Sequence, residues 1–442
     1  MCVILQMQGN RNNNHSQMNR ILLSLLLLLT ASAGRSQSLQ ECIRMAEKNY
    51  PLIRQYELIR QTTEFTVSNI RKGWLPQVSA TAQGTYQSDV TAWPQEMRNT
   101  LAATGLNLRG LKKDQYRVGV DIVQTVFDGG SMKAQRNVAE LEGEQELART
   151  DVTLFAVRQR VIDMYYSLLL LQTQAQMQEN LIGYLRANEA KLESMHRNGT
   201  AALSDYHTVR AERLGAEQSL TDLHMKASSC ARMLALFCGA DSVKPVMDEP
   251  GLNGNESGRP ELRYIDSQVR LAKARDKLLD TALMPKVSVF ATGFYGYPGY
   301  NMFDDMMHHK WSLNGMVGLK MTWNIGALYT LKADRAKLRR QVNMAETNRD
   351  VFLFNNRLDQ MRQQDNMRRY ESIRAADDEI ISLRTEVRKA SESRLNHGIV
   401  DVSELVKDLK NEHNAILQKS VHEIEFLKEQ AELNYATNGM QP

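Results

Sequence analysis

The amino-acid sequence predicts a mostly α-helical fold with a small β part, in which one long structural unit occurs twice. Three observations predict it: a recurring pair of prolines, long stretches without proline, and four segments in which apolar and polar residues alternate. Pro51 and Pro76 recur 209 positions later as Pro260 and Pro285. Repetition at such a distance indicates the duplication of a whole unit rather than an array of short repeats.

The first 33 residues are expected to be a signal peptide that precedes the fold. Arg11 and Arg20 come before an apolar run at 21–30, and a small-residue cleavage site follows at 31–33. This order of a basic, an apolar and a small-residue segment is typical of a secretory signal peptide. The apolar run is too short for a membrane-spanning helix, which needs about 20 residues. We therefore expect an exported protein.

Two repeats are expected after the signal peptide, the first at 34–250 and the second at 251–442. Each begins with a helix, at roughly 40–73 and 259–283, which ends before the second proline because proline cannot continue a helix. The other predicted parts are strand pairs at 77–88 with 116–127 and at 286–297 with 311–324, long helices at 131–196 and 326–395, and return helices at 203–238 and 402–436. This order gives two helical hairpins and four strands.

The predicted strands have one apolar and one polar face. In the last strand Leu313 and Leu319 occupy odd positions and polar residues such as Asn314 occupy even ones, a pattern with a period of two. Trp311 and Trp323 lie at its two ends, where interfacial aromatic residues sit in membrane proteins. Such strands suit a transmembrane β-barrel with a wet lumen, whereas a soluble β-sandwich would show the same alternation.

The long helices are predicted to pack as coiled coils. The stretch from 131 to 196 contains no proline, and at about 1.5 Å per residue it would extend roughly 100 Å. Its apolar residues recur at three- and four-residue spacing, which is heptad patterning. The positions are Val161, Met164, Leu168, Leu171, Ala175, Ile182, Leu185 and Leu192 in the first copy, and Ile373, Ala376, Ile380, Leu383, Val387 and Ala390 in the second.

A sharp turn is predicted where each long helix meets its return helix. Gly199 and Gly398 supply the permissive backbone that a helix C-terminus requires. Ser204 and Ser403 follow closely and are expected to help cap the return helices.

Composition and motifs argue against several function classes. The net charge of +4 is close to balanced, and the basic residues are interspersed with acidic ones, so nucleic-acid binding is not expected. Cys42, Cys230 and Cys238 form an odd set after the signal peptide, which indicates small buried core residues rather than a disulfide framework. No nucleotide-binding, zinc-protease or serine-hydrolase motif occurs, so we expect neither an enzyme nor a cofactor.

One segment combines residue types that can bind soft metals. Met302, Met306, Met307, His308 and His309 follow one another closely between the last two strands, and methionine and histidine could hold copper. A surface loop of mixed polarity explains the same residues, and we favour that interpretation.

The order of helix, strand pair, long helix, glycine turn and return helix, found twice, resembles the TolC family of outer-membrane efflux proteins. The residues that carry the resemblance are the two proline pairs, the strand ending at 127–130 and the turns around Gly199 and Gly398. The resemblance implies a TolC-like trimeric α/β barrel. Four strands per chain would share a 12-stranded transmembrane β-barrel in the cell outer membrane, and the coiled-coil helices would form a tunnel extending into the periplasm.

The resemblance also implies partners and a site. A periplasmic adaptor (membrane fusion) protein of an inner-membrane pump would dock at the hairpin tips, which are Asn198, Gly199, Thr200, His397, Gly398 and Ile399. Acidic rings would narrow the periplasmic aperture, with Glu404, Asp408 and Asp205 at or near the family's acidic positions. Lys407 stands where the family has a second carboxylate, so a strict double ring is not expected. An ordinary acidic first turn of a helix explains Glu404 and Asp408 equally simply.

The expected function is that of a passive exit duct in a tripartite efflux or type I secretion system. A periplasmic coiled-coil adaptor is the alternative, although adaptors have one helical hairpin and this sequence predicts two. An exported helical enzyme is the third possibility, and no convergent acid, base or metal-binding residues favour it.

Overall fold

The computed structural model describes residues 37–105, 109–250, 259–397 and 399–437. The predicted signal peptide, the boundary between the repeats and Gly398 lie outside these residues. The chain forms two compact units, and each contains residues of both repeats. The sheet unit comprises 54–151 and 260–352, and the helical unit comprises the described residues of 37–53, 152–259 and 353–437.

The described chain is mostly α-helical with four strands, which confirms the predicted fold class. The helices are α1 Leu39–Asn49, α2 Ile53–Lys72, α3 Gln95–Ala102, α4 Ser131–Arg197, α5 Leu203–Cys238, α6 Pro260–Thr281, α7 Met302–His308, α8 Leu328–Arg374, α9 Asp377–Asn396 and α10 Val402–Ala436. The strands are β1 Gln77–Tyr86, β2 Asp114–Phe127, β3 Lys286–Tyr297 and β4 Ser312–Thr322. None of the described helices combines the length and apolar character that a membrane crossing requires.

Two helices expected to be continuous are divided in the structure. In the first repeat Tyr50 adopts extended backbone before Pro51, so α1 ends there and α2 begins at Ile53. A residue before proline is pushed out of the helical region, which explains this break. In the second repeat α8 ends at Arg374 and α9 begins at Asp377.

The second break has no proline or glycine to cause it. The buried carboxylate of Asp377 lies 2.9 Å from Nδ1 of His422, and Asp378 accepts a hydrogen bond of 2.5 Å from Lys419. Both partners belong to α10. These contacts fix the first turn of the new helix, and acidic residues are favoured there by the helix dipole. Heptad spacing alone therefore missed a break that is set by tertiary contacts.

The four strands form one antiparallel sheet in the order β1-β2-β3-β4. Ala80 lies opposite Val120, which in turn lies opposite Gly293. Val289 lies opposite Leu319 on β4. Because opposite residues share a face, the register collects the apolar positions of all four strands on one side. β1 and β4 are the two edge strands of the sheet.

The apolar face is exposed to an unusual degree. Leu313, Val317 and Leu319 leave 82%, 75% and 77% of their surfaces exposed. At one end of this face the ring of Trp311 stacks on Tyr116 at a centroid distance of 6.2 Å. Large exposed apolar patches on a protein mark surfaces that meet a partner or a membrane.

The helical unit has a conventional core. One cluster joins α1, α4, α5 and α10, and it includes Val161, Leu168 and all three described cysteines, which are buried and unbridged. A second cluster joins α4, α5 and α10 near the turns. The apolar seam predicted along α4 is thus largely buried, whereas Ile380, Leu383 and Val387 of α9 remain 44–55% exposed.

Candidate hairpin tips and aperture residues

The first tip is closed by backbone hydrogen bonds around Gly199. The Thr200 N–H donates to Met195 O at 2.9 Å, and the Gly199 N–H donates to His196 O at 2.9 Å. This pair of bonds is a Schellman motif, in which the first of the two donor residues adopts the left-handed conformation. Gly199 supplies it with φ +75°. The positive φ predicted for this glycine is therefore present, and Asn198 lies exposed beside it.

The second tip has the same kind of bond as the one that joins Thr200 to Met195 in the first tip. The Ile399 N–H donates to Arg394 O at 2.9 Å, which is the same six-residue closure that joins Thr200 to Met195. His397 is exposed and its Nδ1 lies 2.8 Å from Ser393 O. The side chain of Ile399 is 70% exposed at the end of the hairpin. Each hairpin thus presents exposed residues at its turn.

The predicted serine caps are wrong. The N-cap of α10 is Asp401, whose carboxylate accepts from the Glu404 N–H at 3.0 Å. The N-cap of α5 is Ala202, which has no side-chain cap bond. Ser204 and Ser403 lie one residue inside the helices, where the side chain no longer faces the free N–H groups. The aspartate directly after the second turn was the signal that the sequence offered.

Two of the three carboxylates predicted for the aperture, Glu404 and Asp408, lie on the same hairpin, and each has a partner. Arg394 donates to the Glu404 carboxylate at 2.9 Å, and the Ser391 hydroxyl donates to Asp408 at 2.5 Å. Arg394 also donates to the Ser391 hydroxyl at 3.2 Å, so the four side chains form one network between α9 and α10. The charge of Glu404 is therefore partly compensated within the chain. Ser391 and Arg394 were missed from the sequence because their roles depend on the hairpin register.

The other two predicted aperture residues have different surroundings. Asp205 is half-buried in the first turn of α5, where its backbone N–H donates to Ala202 O at 3.2 Å. Lys407 is exposed on α10. Nearby, Lys410 of α10 bonds to Glu212 of α5 at 2.6 Å and ties the two return helices together. The structure thus joins Glu404 and Asp408 in one network, and among the described residues neither Asp205 nor Lys407 is part of it.

The first hairpin has its own charge network, about three helical turns from its tip. Arg213 of α5 donates to both Glu189 of α4 and Glu217 of α5, the latter at 2.8 Å. The hydrogen bond from Arg213 is the main reason that the pKa of Glu217 is lowered, and a second bond from Arg186 acts in the same direction. The hydrogen bonds that Arg213 donates to Glu189 and Glu217 in turn raise the pKa of Arg213.

The methionine- and histidine-rich segment forms a short helix rather than a loop. Met306 is buried in a small cluster with Leu111 and Tyr297. The buried Asp305 accepts from the Gly299 N–H at 2.5 Å, and His309 Nε2 lies 2.7 Å from Gly110 O. Met306 is therefore engaged in packing, and Asp305 and His309 are engaged in contacts with the backbone. In the described part of the chain no group of three or more histidine, cysteine or acidic residues is arranged to hold a metal ion.

The sequence and the fold both find relatives. Residues 42–239 match the family model named outer membrane efflux protein. The resemblance predicted from the sequence is therefore confirmed over these residues, which make up a little under half of the chain. A search of curated protein sequences finds no match.

Solved structures of outer-membrane channels share the fold. The outer-membrane channel OprN is 14% identical, with a TM-score of 0.65 and 91% of each chain covered. VceC from Vibrio cholerae is 12% identical, with a TM-score of 0.66 and coverage of 90% of this chain and 95% of that one. The open MtrE channel of Neisseria gonorrhoeae is 14% identical, with a TM-score of 0.63 and coverage of 91% and 88%.

Proposed function

We propose that this chain is an outer-membrane efflux protein and forms the passive exit duct of a tripartite efflux or type I secretion system. Three copies would share one 12-stranded transmembrane barrel, and a periplasmic adaptor would link the duct to an inner-membrane pump. The observation that carries the proposal is the open sheet of the sheet unit. Among the described residues its two edge strands have no further strand beside them, and its apolar face is exposed.

An open sheet of this kind cannot lie in lipid on its own. Each unpaired edge leaves a row of N–H and C=O groups without partners, and in hydrocarbon each such group costs several kcal/mol. Pairing β4 of one copy with β1 of the next would satisfy both edges. The exposed side chains at Leu313, Val317 and Leu319 would then face lipid.

The number of copies follows from the number of strands. Four strands cannot close a barrel, and eight leave room only for side chains or one small ligand. Twelve is the smallest multiple of four that gives a useful aqueous bore. The exposed seam of the helical unit supports a neighbouring copy independently, because Phe354, Leu358 and Met361 of α8 are 50–66% exposed at heptad spacing.

The hairpin tips are the proposed docking surface for the adaptor. Gly199 sets the first turn, and four residues are exposed around the two turns: Asn198, Thr200, His397 and Ile399. Gly398 is proposed to belong to the same docking surface. Glu404 and Asp408 are proposed to narrow the aperture, and their bonds to Arg394 and Ser391 would hold that constriction closed. Asp205 and Lys407 are proposed to line the same entrance.

The adaptor alternative is less well supported. An adaptor would have a single helical hairpin, whereas this chain has two, α4 with α5 and α9 with α10. An adaptor also needs no wide apolar face on a four-stranded sheet. The exposed residues of β4 are explained by contact with lipid.

Two measurements test the proposal: the conductance of the purified protein, and the membrane insertion of variants that carry a charge on one or the other face of β4. Protein extracted from outer membranes in detergent should run as a trimer and open channels in a planar bilayer. Leu319→Arg and Val317→Arg should impair insertion, because a basic residue facing lipid costs about 2–4 kcal/mol at mid-membrane. Thr322→Arg, on the opposite face of the same strand, is the matched control and should insert normally. Asn314 is a poorer control than its sequence position suggests, because it accepts from the Tyr300 N–H at 2.8 Å.

The aperture assignment has a separate readout. Glu404→Gln together with Asp408→Asn should raise single-channel conductance, and so should Arg394→Ala, which frees the hairpin. Equal insertion of all the strand variants would argue against the barrel. Unchanged conductance in the hairpin variants would argue only against these aperture residues.

A further inference from the structure

The charged residues of the four described strands are concentrated on one face. Apart from Asp114 at the start of β2, they are Arg117, Asp121, Lys286 and Lys320, and the register puts all four on the face opposite Leu319. This polar face is the one that would line the bore of the proposed duct. Three of its four charges are positive.

Two of these four residues already have partners. The guanidinium of Arg117 lies over the ring of Phe294, 3.9 Å from its centroid. The carboxylate of Asp121 accepts a hydrogen bond of 2.7 Å from Thr292 and a longer one of 3.5 Å from Thr81. Asp121 is therefore held near the middle of its strand and directed toward hydroxyl groups.

The two lysines lie together and have no such partners. Lys286 is opposite Thr322 and Lys320 is opposite Ser288, so the lysines are diagonal neighbours on one face. Both are exposed, and among the described residues neither forms a salt bridge. They occupy the end of the sheet from which α6 enters β3. Two adjacent unpaired ammonium groups repel each other unless an anion lies between them.

A cavity lies beside the lysine pair. Its volume is about 610 Å³, and Lys286, Lys320 and Phe290 are among the residues that line it. The carboxylate in its lining is Asp128, which is buried and accepts from the N–H groups of Gly130 at 2.9 Å and Met132 at 2.6 Å. That carboxylate caps the start of α4, so it faces backbone donors and leaves the positive charge of the lysines uncompensated.

We infer that Lys286 and Lys320 form an anion-attracting zone at the inner end of the strands, which favours cargo with a carboxylate, phosphate or sulfonate group. The inference rests on the proposed function, because three copies would bring six lysines around one bore. Rings of basic side chains favour anions at close quarters. Phe290 beside the lysines provides an apolar surface, so the zone suits an anionic group carried on an apolar body.

The experiment is the reversal potential of single channels under a KCl gradient. The wild-type channel should prefer chloride, and the Lys286→Gln/Lys320→Gln double variant should lose about two-fold or more of its anion-to-cation permeability ratio. The Lys286→Arg/Lys320→Arg variant keeps the charge and should keep the preference. Lys310→Gln, a lysine outside the strands, is the matched control and should behave as wild type.

The outcomes separate this inference from the proposed function. If neither the wild-type trimer nor its Glu404→Gln/Asp408→Asn variant, in which the proposed constriction is opened, conducts any current, both the duct and the lysine zone are overturned. If wild type conducts but the glutamine variant has an unchanged reversal potential, the inference fails and the duct stands. If the double variant does not assemble, the two single glutamine variants are measured instead. Each should shift the reversal potential part of the way, and no shift in either overturns the inference.

Discussion

The two hairpins of the helical unit share a backbone turn but differ in how side chains fasten it. Both close with a six-residue hydrogen bond of 2.9 Å, Thr200 to Met195 in the first and Ile399 to Arg394 in the second. The second hairpin adds a capping aspartate and an ion pair close to the turn. The first has an alanine at the capping position, and its ion pair nearest the turn, Arg197 with Glu193, lies within α4 alone. The ion pairs that join α4 to α5 centre on Glu189 and Arg213, about three turns away.

This difference shows that the two copies of the duplicated unit share the backbone turn but not the side-chain bonds around it. The six-residue hydrogen bond depends on helix geometry, so both copies have it with different neighbouring side chains. Side-chain bonds between the two helices of a hairpin depend on pairs of residues that face each other, and these pairs differ between the copies. Near the second tip such pairs add to the backbone closure, whereas the first tip is closed by its backbone and by bonds from Thr200 and His196 to nearby carbonyl groups.

The largest effect on the hairpins is expected from replacing Gly199, whose positive φ closes the first tip. Gly199→Val should destabilise the turn by about 1–2 kcal/mol, because a residue with a Cβ is strained in the left-handed region. A Cβ at this position would meet no atom within 4 Å, so the cost would come from the backbone alone. Hydrogen exchange of the Thr200 amide, compared with wild type, measures it.

Gly199→Asn is the matched control for this prediction. Asparagine tolerates positive φ better than valine, so its exchange rate should lie near that of wild type. If the valine variant exchanges at the wild-type rate, the first tip does not depend on its backbone, and the contrast between the hairpins disappears.

A smaller effect is expected from exchanging the caps. Asp401→Ala should destabilise the start of α10 by about 1 kcal/mol, because the Glu404 N–H loses its acceptor. Ala202→Asp should have the opposite sign and stabilise α5 by a similar or smaller amount. Hydrogen exchange of the first-turn amides in each helix checks both. Asp401→Asn, which can still cap, should change little, and an equal loss in that variant would mean that the cap is not the cause.

Much of the fold was predictable because it follows from local patterns. The alternation in β4 predicted the exposed face that carries Leu319, and the missing prolines predicted the length of α4. The positive φ at Gly199 was predictable because few other residues can adopt that backbone conformation. Each of these features depends on residues close together in the sequence.

Other features were not predictable, because they depend on contacts between distant residues. The break before Asp377 is fixed by His422, 45 positions later. The bond between Ser391 and Asp408 depends on the register of a hairpin that no short motif specifies. The same holds for the lysine pair, since Lys286 and Lys320 become neighbours only when β3 and β4 align. The cap at Asp401 was predictable in principle, because aspartate is a favoured N-cap residue. The prediction placed the cap at Ser403, two residues too far along the chain.

The smallest effect is expected on lowering the pH, and it tests how the first hairpin is stabilised. The pKa of Glu217 is lowered from 4.5, chiefly by its hydrogen bond from Arg213. A carboxyl group whose pKa is lower in the folded than in the unfolded chain stabilises the fold fully above the unfolded value, and that contribution is lost as the pH falls through the folded value. The protection factors of amides in the middle of α5, which correct for the intrinsic pH dependence of exchange, should therefore be unaffected by this pair above about pH 5 and should fall in more acidic buffer.

Arg213→Gln provides the control for the acid response. Without the guanidinium, Glu217 loses the main cause of its lowered pKa, so the acid-dependent part of the exchange in α5 should shrink. Arg186→Gln removes only the lesser hydrogen bond and should leave most of the response. Because both arginines lie in the first hairpin, any change confined to α4 and α5 reports that hairpin alone. An acid response that persists in full without Arg213 would mean that another group fastens the first hairpin, and the contrast drawn between the two copies would have to be redrawn around it.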